Sequence, residues 1–288
     1  MNMRIRDISY WLFLMPVLVA LLLVVVAPLL LGVYYSFTDW NGISANGFVG
    51  FENYTALFQD ERFLDSLWFT TKFSVVSIVL INVIGLSLAL LVTSKLKTNK
   101  FMRTIFFMPN LIGGLILGFI WQFIFTKAFD GIGSLFGIES LQGWLSTSST
   151  GFWGLVILMS WQMSGYIMVI YIAYLEGVSK ELIEAAEIDG ANAFQRFRHI
   201  VFPLVAPAFT VSMFLTLSNT FKLYDQNLSL TGGGPYDSTQ MVAMDIFRTA
   251  FSRYDMAYAQ AKAIIFFVIV AVIALLQVYV NKKREVEM

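Results

Sequence analysis

The sequence predicts an all-α integral membrane protein of six transmembrane helices, and two observations predict it. Hydrophobic residues make up 58% of the 288-residue chain and charged residues only 13%, with a mean hydropathy of +0.71. That composition has too little polar surface to cover a soluble globule of this size. In addition, six charge-free runs are each long enough to cross about 30 Å of hydrocarbon, which takes roughly 20 helical residues. Continuous apolar runs lack the alternation of barrel strands, so helices are expected throughout. The lack of cysteine excludes disulfides, thiolate metal sites and a cysteine nucleophile, and the single histidine, His199, excludes histidine-rich metal sites. A formal charge of zero offers no basic surface to nucleic acid.

Residues 1–10 are expected to form a cytoplasmic N-terminal segment and residues 11–288 a single six-helix domain. The first span runs from Trp11 to Phe37. Arg4 and Arg6 precede it as in a signal peptide, but the apolar run is about twice the usual length and no small-residue cleavage site ends it, so it is read as a span. The others are Phe73 to Val92, Ile105 to Phe125, Gly151 to Leu175, Ile200 to Phe221 and Ala263 to Val280. Within these bounds no span holds an ionisable side chain, whereas ion-coupled carriers place such groups inside the membrane. The chain also lacks a Gly-Lys pair, so it cannot cradle nucleotide phosphates in a Walker-type loop. Both absences describe a conduit worked by a motor on another chain. Gly114 and Gly118 form a G-x-x-x-G in the third span, read as packing.

Lysine and arginine are retained on the cytoplasmic side. With the N-terminus inside, twelve fall inside: Arg4, Arg6, Lys95, Lys97, Lys100, Arg103, Lys180, Arg196, Arg198, Lys282, Lys283 and Arg284. Four fall outside: Arg62, Lys127, Arg248 and Arg253. Lys72, Lys222 and Lys262 sit at the expected helix ends and belong to neither side. Both termini are therefore expected in the cytoplasm, together with the segment joining spans four and five.

That segment, residues 177–199, reads as a hairpin of two short helices. Ser179 caps the first, and Glu181 sits favourably at its positive end. Gly190 after Asp189 suits a left-handed helix terminus. Asn192 and Gln195 match a capping box for a second helix, which runs to Pro203. Glu181, Glu184, Glu187 and Asp189, with Glu176 directly before the segment, make its first half acidic, which disfavours a helix lying on the anionic cytoplasmic leaflet and favours a protein partner. Ala185 and Ala186 allow that partner a close approach.

The pattern Glu184, Ala185, Ala186, then Gly190, Ile200, Phe202 and Pro203, resembles the EAA loop of the membrane subunits of binding-protein-dependent ABC importers. Phe202 stands where the family usually has Leu. The stretches "FVGFENYTALFQDERF" from Phe48 and "LSLTGGGPYDSTQMVAMDIFRTAF" from Leu228 are similar to the carbohydrate branch of these importers, in the half like the larger maltose-transporter permease. The extra N-terminal helices and the large periplasmic insertion of that permease are lacking here. The resemblance implies a type I ABC importer permease fold with no cofactor in this chain and ATP and Mg on a partner ATPase. It also implies a second homologous permease, a cytoplasmic ATPase dimer and an extracytoplasmic solute-binding protein as partners, with a sugar as substrate. Glu184, Ala185, Ala186, Asp189, Gly190, Ile200 and Pro203 would then couple the permease to the ATPase. A secondary facilitator, or a non-transporting scaffold that docks a partner through the hairpin, is the alternative.

A sugar path needs amides, hydroxyls and aromatic faces. Thr216, Asn219 and Thr220 share helical spacing in the fifth span, Asn110 follows Pro109 in the third, and Trp161, Gln162 and Ser164 cluster in the fourth. Each has interhelical hydrogen bonding as its alternative role. Outside the membrane, Thr231, Gly232, Gly233, Gly234 and Pro235 are read as a tight loop before span six that faces the binding protein, not as a phosphate nest. Asn53-Tyr54-Thr55 matches a glycosylation acceptor and is read as chance.

Overall fold

The computed structural model describes the backbone of residues 2–45, 47–94 and 98–283. The charges of Lys95, Lys97 and Arg284, used above for orientation, lie outside the described residues, as do the side chains of Arg4 and Arg6. Helix α1 (Asn2–Leu21) passes through a π turn at Leu22–Val26 into α2 (Ala27–Tyr35), and a short α3 (Glu52–Leu57) precedes the long α4 (Glu61–Thr93). Then come α5 (Asn99–Phe107), α6 (Gly114–Phe123), α7 (Phe129–Phe136) and α8 (Ser148–Leu175). The segment after α8 holds α9 (Lys180–Ile188), α10 (Ala193–Arg196), a π turn at Phe197–Val201 and α11 (Phe202–Leu204). The chain closes with α12 (Ala206–Phe221), α13 (Asp225–Leu230), α14 (Val242–Phe251) and α15 (Met256–Lys282). No strand occurs among the described residues, only an isolated bridge between Thr38 and Phe48. Among the described residues, five helices are long and apolar enough to cross a membrane, and a sixth if the bent pair Ala193–Leu204 and Ala206–Phe221 counts as one span.

Three elements differ from the sequence reading. The third span was expected from Ile105 to Phe125, but the chain breaks there. Met108–Leu111 is a 3-10 turn, Ile112 and Gly113 are extended, and the apolar helix is Gly114–Phe136. Pro109 lacks the N–H that an unbroken helix needs at that position, and Gly113 with Gly114 lets the chain turn. The fifth span, expected from Ile200 to Phe221, is not one straight helix: the helix after Asn192 ends at Leu204, one residue past the expected Pro203. The span bends by 67° at Val205, which sits between Pro203 and Pro207. The helices also extend beyond the charge-free runs. Helix α15 begins at Met256, seven residues before the charge-free run, so Lys262 lies within it and is 0% exposed. Lys72 likewise lies inside α4, with its ammonium over the Phe152 ring.

The chain divides into two compact units. One comprises residues 1–63 and 246–267. In it Asn53 donates to the carbonyls of Ser36 and Thr38, which engages the amide of the apparent glycosylation motif in the fold. Phe37 stacks on Phe48 and meets Phe51 edge-on, holding the segment after α2 against α3. Lys262 pairs with Asp60 in this unit.

The other unit, residues 64–245 and 268–288, holds the main core. Helix α8 is its centre, with Leu155, Leu158, Ile167, Met168 and Tyr171 buried along it. Small residues let neighbours approach closely. A Cβ at Gly165 would sit 1.7 Å from the Phe106 carbonyl oxygen of α5. One at Gly118 would sit 1.8 Å from Ser229 Oγ, so the G-x-x-x-G face of α6 receives α13 of the same chain.

Candidate functional site: the hairpin between α8 and α12

Each bend of the hairpin is fixed by a local hydrogen-bond motif. Ser179 Oγ accepts the Glu181 N–H at 3.2 Å and starts α9. At the other end Gly190 has φ +81°, its N–H donates to Glu187 O at 3.1 Å, and the Ala191 N–H reaches Ala186 O at 2.9 Å. This is the Schellman arrangement, in which a left-handed residue lets the chain reverse and satisfy the last helical carbonyls. Asn192 Oδ1 then accepts the Gln195 N–H at 2.9 Å, and Gln195 Oε1 accepts the Asn192 N–H at 2.8 Å, which opens α10. Arg196 ties the second arm to the first, 2.9 Å from Ala191 O and 3.2 Å from Glu187 Oε1.

The hairpin faces outward. Glu181, Glu184, Ala185, Asp189 and Gly190 are exposed, while Ala186, Ile200 and Pro203 are half-buried. Beside the carboxylates, Ile188 is 87% and Phe194 70% exposed at the two sides of the turn. Two large apolar side chains are thus exposed beside an acidic turn. Ile188 is not among the residues expected from the sequence, although its position directly before Asp189-Gly190 marks it as a tip residue.

The proposed path residues sit in different local surroundings. Trp161 and Ser164 line a cavity of about 590 Å³ with Ser160, Trp153 and Pro109, and the Trp161 ring meets Trp121 edge-on. Gln162 is buried, 3.2 Å from Ile112 O and 2.8 Å from the Gln226 amide. Asn110 is half-buried in the 3-10 turn. Thr216 and Thr220 are both 0% exposed, and their hydroxyls donate to the carbonyls of Ser212 and Thr216 on their own helix. Asn219 alone of that trio is exposed.

The glycine loop is closed on itself. Asn227, buried beneath it, donates to Thr239 O and Thr231 Oγ1 and accepts from the Met241 N–H. The N–H groups of Gly232, Gly233 and Gly234 bond to Asn227 O, Thr231 Oγ1 and Thr231 O, which occupies the donors that a phosphate nest would need. The loop leads into α14 and not directly into the last span. Tyr236 stands fully exposed at its tip.

Residues 81–286 match the family model described as "Binding-protein-dependent transport system inner membrane component". The chain is 60% identical to a probable starch degradation products transport system permease protein, AmyD of Thermoanaerobacterium thermosulfurigenes, over 98% of this chain and 97% of that one. It is 31% identical to the multiple sugar-binding transport system permease protein MsmF of Streptococcus mutans, over 96% of each. Among solved structures it resembles a chain of a bacterial alginate ABC transporter in complex with an alginate pentasaccharide-bound periplasmic protein, with a TM-score of 0.84 and 21% identity over 96% of this chain and 95% of that one. The all-helical fold, the apolar spans and these matches together make this chain a member of the inner-membrane component family of binding-protein-dependent transport systems.

Proposed function

We propose that the chain is one permease half of an ATP-driven importer whose cargo is a sugar or oligosaccharide of the kind released from starch. The observation that carries this reading is the exposed, internally braced hairpin at residues 177–199, a rigid handle with an acidic and apolar tip placed between two membrane helices. In this reading both termini and the hairpin are cytoplasmic. An ATPase dimer carrying ATP and Mg receives Glu184, Ile188, Phe194 and the Gly190 turn, and a second homologous permease completes the path. A solute-binding protein delivers the sugar on the outer side, where the TGGGP loop presents Tyr236. The path itself uses the exposed carboxamide of Asn219, the indole of Trp161, the Ser164 side of its cavity and Asn110. The 60% identity to AmyD over nearly the full length of both chains supports the starch-product cargo.

The test is uptake of radiolabelled starch oligosaccharides by vesicles holding the chain with its second permease and ATPase, with the binding protein and ATP varied separately. Uptake that needs both is expected. Uptake that persists without ATP assigns the chain to facilitators, and an assembled ATPase without any uptake assigns it to scaffolds.

A further inference from the structure

Asn82 lies in the middle of α4, 4% exposed, where an amide without partners is strongly disfavoured. A carboxamide has two N–H donors and two acceptor lone pairs, and all four are engaged. Its Nδ2 donates to Ile78 O at 2.8 Å and to Thr216 Oγ1 at 3.2 Å. Its Oδ1 accepts from Tyr171 Oη at 3.0 Å and lies 2.7 Å from Ser212 Oγ, which is itself 3.0 Å from Tyr171 Oη. One saturated amide therefore joins three helices. Tyr171 belongs to α8, which runs into the hairpin, and Ser212 and Thr216 belong to α12, into which the hairpin feeds.

A leucine at position 82 would fill similar space without needing partners, but it would not fix the register between helices. One helical turn advances a helix by about 5.4 Å, so a slip of α12 past α8 by one turn would take Ser212 Oγ out of hydrogen-bond reach. The arrangement recurs nearer the hairpin. One nitrogen of Arg103 lies 2.7 Å from Glu176, which caps α8, and 3.5 Å from Val92 O near the end of α4.

We infer that Asn82, with Tyr171 and Ser212, is a positioning node that makes α4, α8 and α12 move as one body when the hairpin is displaced, so that ATP hydrolysis is converted into sugar movement instead of sliding between helices. This inference rests on the coupling role proposed for the hairpin. The test is the number of sugar molecules transported per ATP hydrolysed in vesicles carrying the full transporter, for Asn82→Leu, Tyr171→Phe and the double variant.

The expected result is a fall in that ratio of at least about threefold in each single variant, with binding-protein-stimulated ATP hydrolysis retained. The double variant is expected to be no worse than the poorer single one, because both remove the same node. Tyr171→Phe removes one hydroxyl and keeps the ring, so it decides the matter if Asn82→Leu does not assemble. A wild-type ratio in Tyr171→Phe, or losses that follow only the amount of assembled transporter, overturns the inference. Gly190→Val in the same assay separates the two readings: if it is uncoupled while the node variants are normal, only the node falls, and if it is normal too, the coupling role of the hairpin falls first.

Discussion

The Lys262 ammonium lies 2.7 Å from Asp60 Oδ2, joining the first turns of α15 to the residue that caps α4. Lys262 also donates to Thr249 Oγ1 at 3.2 Å and stands over the Tyr258 ring, and the Tyr258 hydroxyl donates to the same Asp60 oxygen at 2.9 Å. The other Asp60 oxygen accepts the N–H groups of Arg62 and Phe63, as a helix-capping carboxylate does. Removing one partner of a buried pair leaves an uncompensated charge, and this commonly costs about 3–5 kcal/mol. Lys262→Met is therefore expected to lower the thermal unfolding midpoint in detergent markedly, and Asp60→Asn combined with Lys262→Met to recover most of the loss. A Lys262→Met protein as stable as the parent would show that the pair contributes nothing.

The same pair predicts an acid response. Burial pushes the Asp60 carboxyl upward, but the Lys262 hydrogen bond and charge, the Phe63 N–H and the Tyr258 hydroxyl outweigh it and hold it below the ordinary value of 3.8. The folded state thus favours the carboxylate. Its contribution is present above the unfolded value and is lost as pH falls through the lower folded value. The parent is expected to lose thermal stability below about pH 4, and Asp60→Asn to lose less over the same interval. Parallel profiles for the two proteins would refute the linkage.

The chain contains no cysteine, so single introduced thiols report sidedness without background. Cysteines at Ser148 and Tyr236, both exposed, are expected to react with an impermeant reagent outside intact cells, and one at Glu181 only after the membrane is opened. The reverse pattern would invert the proposed orientation.

At the hairpin turn a Cβ on Gly190 meets nothing within 4 Å, so any penalty comes from its φ of +81° and not from crowding. Gly190→Asn, whose side chain tolerates the left-handed region, is expected to keep the ATPase bound, and Gly190→Val to release it or abolish uptake. Glu184→Lys should do likewise through its charge, since desolvated pairs at a contact are costly to break. Pull-down of the ATPase with uptake measured in parallel decides the point, and retention of both by Gly190→Val and Glu184→Lys would remove the hairpin from coupling.

Within α12 the structure separates neighbours that the sequence grouped. Asn219→Leu is expected to lower uptake about tenfold with assembly intact, whereas Thr220→Val, whose buried hydroxyl serves its own helix, should stay within about twofold of the parent. Equal uptake in the two variants would return Asn219 to a packing role.

What could be read from the sequence was what neighbours in the chain decide. Ser179, Gly190 and the Asn192–Gln195 box act within a few residues, and the structure realises each of them. The break at Pro109 to Gly113 was missed because hydropathy weighs apolarity and not backbone geometry, and Ile105 to Phe125 is apolar on both sides of it. The charge-free run puts Lys262 at a helix end, whereas α15 begins at Met256 and carries it inside, because hydropathy does not foresee the Asp60 partner that lets a lysine be buried. The Asn82 node could not be read at all, since its partners Tyr171 and Ser212 are 89 and 130 residues away and only the fold brings them together.

The 67° bend at Val205 has a mechanical consequence. From Ala193 to Leu204 the chain runs as one arm of roughly 18 Å, at 1.5 Å per residue, and the bend is where that arm joins α12. A pivot there works with leverage: turning the arm by about 10° sweeps its far end through roughly 3 Å, by the same helical rise. In the proposed coupling, a push on the hairpin would therefore reach α12 as a rotation about Val205, the motion of a crank and not of a piston.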